Sequence, residues 1–174
     1  MKADPEERFE ALYWAHHQEM LAFIRRRTYT GDTDIGDAED IVAEAFVVAW
    51  RRLGDVPDPA RGWLFAVARN ILRNHQRSQR RSMALRLKLT DEQPLATPDP
   101  ASAIAGRADL VRAWNRLTTN EREVIALTAW DELSQDEAAT VLGCTKTTYA
   151  VRLHRARRRM LHLLNRTTPG GDHG

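Results

Sequence analysis

The side chains with the clearest chemical promise are guanidinium groups gathered without neighbouring acids. Residues 61–90 hold 8 Lys/Arg and no Asp/Glu, and residues 146–166 hold 7 Lys/Arg and no Asp/Glu. Clustered cations attract a polyphosphate backbone, because each phosphate they neutralise releases condensed counterion. The flanking segments have the opposite sign: residues 1–60 carry 7 basic against 13 acidic side chains, and residues 91–145 carry 4 against 10. The overall net charge of +2 thus conceals two basic blocks alternating with two acidic ones. The plainer reading is a pair of solvated basic helix faces. Two blocks, each on an amphipathic pattern, favour nucleic acid as the partner.

In the first block, Ala66, Asn70, Arg73, Asn74 and Arg77 recur at the spacing of one helix face. Leu64, Val67, Ile71 and Leu72 suit the buried side. The second block closes a segment, Ser134 to Arg159, with the layout of a helix-turn-helix: a short helix, a turn at Gly143 and a longer basic helix able to enter a major groove. Ala139 permits close approach of the two helices, and Tyr149 anchors the second from beneath. Lys146, Thr147 and Ala150 then face outward near its start, with Arg152 and Arg155 further along. These types reach base edges and phosphates. The plainer alternative is a helical hairpin with a basic exposed face.

Other chemistry finds less support. His16, His17, His75, His154, His162 and His173 form no metal-ligand spacing, and His16 fits a packed position on an apolar stripe. The lone Cys144 excludes an internal disulfide and a cysteine-rich zinc site. No catalytic residue, cofactor or small-molecule substrate is expected. The segment Met1–Glu10 is acidic, unlike a signal peptide, and no apolar run reaches transmembrane length. Cytoplasmic localisation without membrane insertion is the expectation.

The elements that must position these residues read as helices throughout. Asp4-Pro5-Glu6-Glu7 is a helix start, followed by Phe9, Leu12, Tyr13, His16, Met20, Phe23 and Ile24 on one stripe. Thr28 to Gly36 reads as a loop, and a second helix starts near Asp37 with an apolar stripe from Ala38 to Leu53. Gly54 to Pro59 breaks it, and a third helix runs from about Ala60 toward Arg81. A fourth spans Asp109 to Leu117. Thr118-Thr119-Asn120-Glu121 and Ser134-Gln135-Asp136-Glu137 both fit capping boxes, Gly143 a left-handed stop, and Thr145 the cap of the last helix. The fold class is therefore all-α: two small helical domains, residues 1–87 and 108–166, the second containing the helix-turn-helix. An acidic, Pro-rich flexible linker at 88–107 joins them, and 167–174 is a tail too glycine-rich to fold.

Asp37-Ala38-Glu39-Asp40-Ile41-Val42-Ala43-Glu44-Ala45-Phe46 and Trp63-Leu64-Phe65-Ala66-Val67-Ala68-Arg69-Asn70 resemble the first conserved domain of extracytoplasmic-function sigma factors of bacterial RNA polymerase. Leu117 to Glu123, Leu133 to Ala139 and Arg152 to Arg157 resemble the second. The resemblance implies that Asp37, Glu39, Asp40 and Glu44 dock on core RNA polymerase, although acids near a helix start also serve its dipole. It implies that Arg69, Asn70, Arg73, Asn74 and Arg77 meet the promoter −10 element and help separate its strands. Arginines can track the backbone there while amides pair with an unstacked base. The loop Gly54 to Pro59 corresponds to one that cradles a flipped-out base. Lys146, Thr147, Arg152 and Arg155 would read and grip −35 DNA, and an anti-sigma factor would restrain the free protein. Departures from the family pattern are Ala43 for a common glutamine, Asp131-Glu132 at a bend where glycine is frequent, Thr147 for glycine, and Tyr149 for a smaller β-branched residue. The recognition helix is accordingly expected to sit slightly displaced. Two rivals are a stand-alone helix-turn-helix regulator, and a nuclease using the acids of the second helix to hold a divalent ion.

Overall fold

The computed structural model describes residues 4–28, 35–87 and 105–167; the side chains of 35–37, 83, 85–87, 105–107 and 167 are outside that description. Seven α-helices occupy these residues: α1 (Pro5–Thr28), α2 (Ile35–Arg51), α3 (Arg61–Leu87), α4 (Ala105–Asn115), α5 (Thr119–Ala129), α6 (Gln135–Leu142) and α7 (Lys146–Thr167). A 3-10 turn at Leu53–Asp55 follows α2. Spatial proximity groups α1–α3 with Ala139–Cys144 in one compact unit, and α4, α5, the start of α6 and α7 in the other.

The all-α reading holds, with shifted boundaries. Thr28, expected in a loop, closes α1 and is buried, its hydroxyl donating to the Arg25 carbonyl. α2 begins two residues before Asp37, and α3 runs six beyond Arg81. α4 begins at Ala105, so 105–107, expected in the linker, are helical. The expected linker residues 88–104 and tail residues 168–174 lie outside the described residues.

In the first unit, α1 carries Glu6 and Glu7 in its first turn and Arg25, Arg26 and Arg27 in its last, each matching the sign the helix dipole favours. Its C-terminal half buries Met20, Leu21, Phe23 and Ile24 against Ala38, Ile41, Val42, Ala45, Phe46 and Ala49 of α2 and Leu64, Phe65, Ala68, Ile71 and Leu72 of α3. Phe23 meets Phe65 edge to face, with ring centroids 4.8 Å apart. Phe65 and Ala68, rather than Val67, complete the buried face of α3; Val67 is half-buried. A three-helix bundle asks α3 to face two neighbours, so its apolar arc is wider than a single stripe. Each fully buried Leu or Phe contributes about 1.5–3 kcal/mol.

Arg8 ties the connection between α2 and α3 to α1. Its two terminal nitrogens donate to the carbonyls of Leu53 (2.9 Å) and Val56 (2.7 Å). These oxygens follow the last turn of α2, where carbonyls lack helical partners. Arg61 at the start of α3 pairs with Glu19 of α1 at 2.8 Å. Val56 and Ala60 are buried between these two ties.

In the second unit, Ala113 and Leu117 pack with Leu163, flanked by Trp114, Ile125, Met160 and Leu164. Val124 and Leu127 of α5 and Tyr149, Leu153 and Ala156 of α7 are buried as well. Both capping boxes form. Thr118 Oγ1 accepts from the Glu121 amide while Glu121 accepts from the Thr118 amide, and Ser134 and Glu137 repeat the arrangement.

Candidate nucleic-acid interface

The turn between α6 and α7 determines how the basic helix begins. Gly143 takes φ +63°, the left-handed conformation that ends α6 without a Cβ clash. Thr145 Oγ1 accepts the Thr148 amide at 3.1 Å and caps α7. Tyr149 is fully buried, with its hydroxyl 2.9 Å from the Val124 carbonyl and 2.5 Å from Thr128 Oγ1. Lys146, Thr147, Arg152 and Arg155 are all exposed: Thr147 and Arg155 lie on the side of α7 away from that anchor, and Lys146 and Arg152, three residues to either side of Tyr149, flank it. Arg158, also exposed, continues the same basic surface. Ala150 is half-buried.

The bend before α6 carries the Asp131-Glu132 pair. Glu132 adopts φ +51°, a left-handed conformation that costs a non-glycine residue about 1–2 kcal/mol. Asp131 beside it is buried.

On α3, Asn70, Arg73, Asn74 and Arg77 are exposed on one face, and Arg69 at its edge is half-buried. The helix continues to Leu87, so the exposed Arg80 and Arg81 prolong the cationic surface. The acid-free composition up to residue 90 already carried that signal.

Two acids of α2 are engaged within the bundle. Glu39 pairs with Arg25 of α1 at 3.2 Å, and Glu44 lies 3.2 Å from His75 Nε2 of α3. Asp40 is exposed. Asp37 falls in the first turn of α2, and its side chain is outside the described residues. All four share one helix, and Glu39 and Glu44 keep more than half their side-chain surface in solvent. Lys146 is likewise paired, its Nζ 2.7 Å from Asp136 Oδ2 of α6. Sequence reasoning missed Arg8, Arg25, His75 and Asp136. Their partners lie 10 to 48 residues away, beyond any helical periodicity.

Among the described residues no group of three or more His, Cys, Asp or Glu side chains is placed to hold a metal ion. Among the same residues no helix is long and apolar enough to cross a membrane. The surfaces can do electrostatic and hydrogen-bonding work on a polyanion: fixed arginines for phosphate, amides and a lysine for base edges.

Comparison with known proteins agrees with this arrangement. The family model for Sigma-70 region 2 matches residues 12–82, and that for Sigma-70, region 4 matches residues 107–160. The chain is 36% identical to the RNA polymerase sigma factor CnrH of Cupriavidus metallidurans, over 87% of this chain and 84% of that protein. It is 33% identical to the ECF RNA polymerase sigma factor SigL of Mycobacterium tuberculosis, over 84% and 85%. Its fold is similar to CnrH solved in complex with the cytosolic domain of CnrY, with TM-score 0.57, 30% identity and coverage of 92% of this chain and 89% of that one. It is also similar to the sigma factor RpoE of Bartonella quintana, solved with the anti-sigma factor NepR, with TM-score 0.56, 26% identity and coverage of 90% and 96%. Two arginine-faced helical units in this order, matched along most of their length, place the chain among the extracytoplasmic-function RNA polymerase sigma factors, non-enzymatic subunits that bind RNA polymerase and recognise promoters.

Proposed function

We propose that this sigma factor meets the −10 element with α3 and the −35 element with α7, and that it opens the duplex by binding energy alone. The observation that carries the reading is the pair of exposed, acid-free cationic faces, one on each unit. They differ in chemistry. The α3 face interleaves Asn70 and Asn74 with Arg69, Arg73 and Arg77, which suits an unstacked strand whose base edges are accessible. The α7 face presents Lys146, Thr147, Arg152 and Arg155 from a capped helix start after a tight turn, which suits a major groove. Asp37, Glu39, Asp40 and Glu44 of α2 form the surface for core polymerase. The segment 88–104 joins the two DNA-binding units.

The free protein is restrained by an anti-sigma protein. RpoE has been solved with the anti-sigma factor NepR and CnrH with the cytosolic domain of CnrY, and this chain is similar to both along most of its length.

The test is run-off transcription with purified core polymerase and this chain on genomic DNA, followed by sequencing of the RNA ends. A shared pair of upstream motifs, about 35 and 10 base pairs before the starts, supports the reading. Tight operator binding without polymerase, and no co-elution with core, would overturn it.

A further inference from the structure

We infer that Asp136 is a specificity-determining residue, acting through Lys146 to restrain indiscriminate phosphate binding by α7. The inference rests on α7 meeting DNA. Lys146 is the first residue of α7, where the dipole is positive and a cation is unwelcome. The first turn of α7 contains no acid. Asp136, in the first turn of α6, supplies one in space: Oδ2 lies 2.7 Å from Lys146 Nζ, across ten residues of sequence. The two side chains remain 58% (Lys146) and 69% (Asp136) exposed, so the pair is reachable by DNA.

This geometry has a consequence for readout. An unpaired Lys146 at a helix N-terminus would add to the attraction for any phosphate, whatever the sequence. With Asp136 Oδ2 2.7 Å from the ammonium, part of that attraction is offset. A phosphate that draws the ammonium away also meets the carboxylate it leaves behind, and the like charges repel. Poses on wrong DNA are therefore penalised, which is discrimination by disfavouring the competitor. An exposed pair of this kind adds little to folding stability. The α6 cap is held by Ser134 and Glu137, so replacing Asp136 leaves it in place.

The experiment uses the full chain, alone and in holoenzyme. It measures affinity for a promoter duplex taken from the mapped starts and for a random-sequence duplex, over a series of salt concentrations. Asp136→Asn is expected to tighten random-duplex binding about three- to tenfold at low salt and to steepen its salt dependence by about one phosphate equivalent. The promoter-to-random ratio is expected to fall by a similar factor. Lys146→Ala abolishes the effect, so that the double variant matches Lys146→Ala alone. An unchanged slope and ratio in Asp136→Asn overturns the inference. So does an equal gain in the Lys146→Ala background, which would reduce Asp136 to a simple repulsive charge. Arg152→Ala and Arg155→Ala report separately on whether α7 touches DNA. If they too leave binding unchanged, the underlying reading has failed rather than the role of Asp136.

Discussion

The hydroxyl of Tyr149 lies 2.9 Å from the carbonyl oxygen of Val124, 25 residues earlier, inside the second unit. The phenol donates to that carbonyl and therefore accepts from Thr128 Oγ1. The ring is buried and its one polar atom is bonded. α7 is anchored to α5 through this contact. Tyr149→Phe is expected to cost about 1–2 kcal/mol, from the lost bond and the groups left without it. Tyr149→Val, which also leaves a void, should cost about 2–4 kcal/mol. Urea midpoints read both, and −35 binding should weaken in the same order.

The two left-handed positions should respond oppositely to substitution. At Glu132, φ +51°, Glu132→Gly relieves backbone strain and should stabilise by about 1 kcal/mol. At Gly143, φ +63°, an added Cβ would meet nothing within 4 Å, yet Gly143→Ala should destabilise by about 1–2 kcal/mol through the backbone alone. Thermal melting of the two variants side by side checks the pair. Equal shifts of one sign would refute the conformational argument.

Arg8 is expected to govern the order of the connection between α2 and α3. Arg8→Ala leaves the Leu53 and Val56 carbonyls without their charged donor and should cost about 1.5–3 kcal/mol. Amide exchange at residues 53–60 should accelerate more than in α7. Arg8→Lys, with one point donor in place of a fork, recovers part of the loss.

Charge reversal on α2 tests the polymerase surface. Glu44→Lys or Asp40→Lys should weaken capture of core polymerase at least about tenfold at low salt, and less as salt screens the contact. Helicity should be unchanged. His75→Ala and Arg25→Ala, which release Glu44 and Glu39 from their partners, should alter capture only slightly. Pull-down with core polymerase distinguishes these outcomes.

If α3 meets the −10 element as proposed, substitutions on its face should separate affinity from strand opening. Arg73→Ala or Arg77→Ala should each lower the salt slope for promoter binding by about one phosphate equivalent. Asn70→Ala should leave that slope unchanged and reduce the reactivity of unpaired −10 thymines to permanganate.

The sequence by itself determined the helices, the capped starts of α5, α6 and α7, and the sign of each surface. Both capping boxes, the Gly143 stop, the Thr145 cap and the stripes of α2 and α7 were legible, because they depend on residues three to seven positions apart along one chain. The cationic faces of α3 and α7 were legible for the same reason: no acid interrupts them. Tertiary structure alone decided which partner a charged group holds on another helix or loop. Arg8 reaches across 48 residues to Val56, Glu44 across 31 to His75, and Lys146 across 10 to Asp136. It also decided that Phe65 and Ala68 are buried more fully than Val67. Periodicity assigns a side chain to a face of its own helix, but only the packing of one helix on another brings two faces into register, and that register sets the partners.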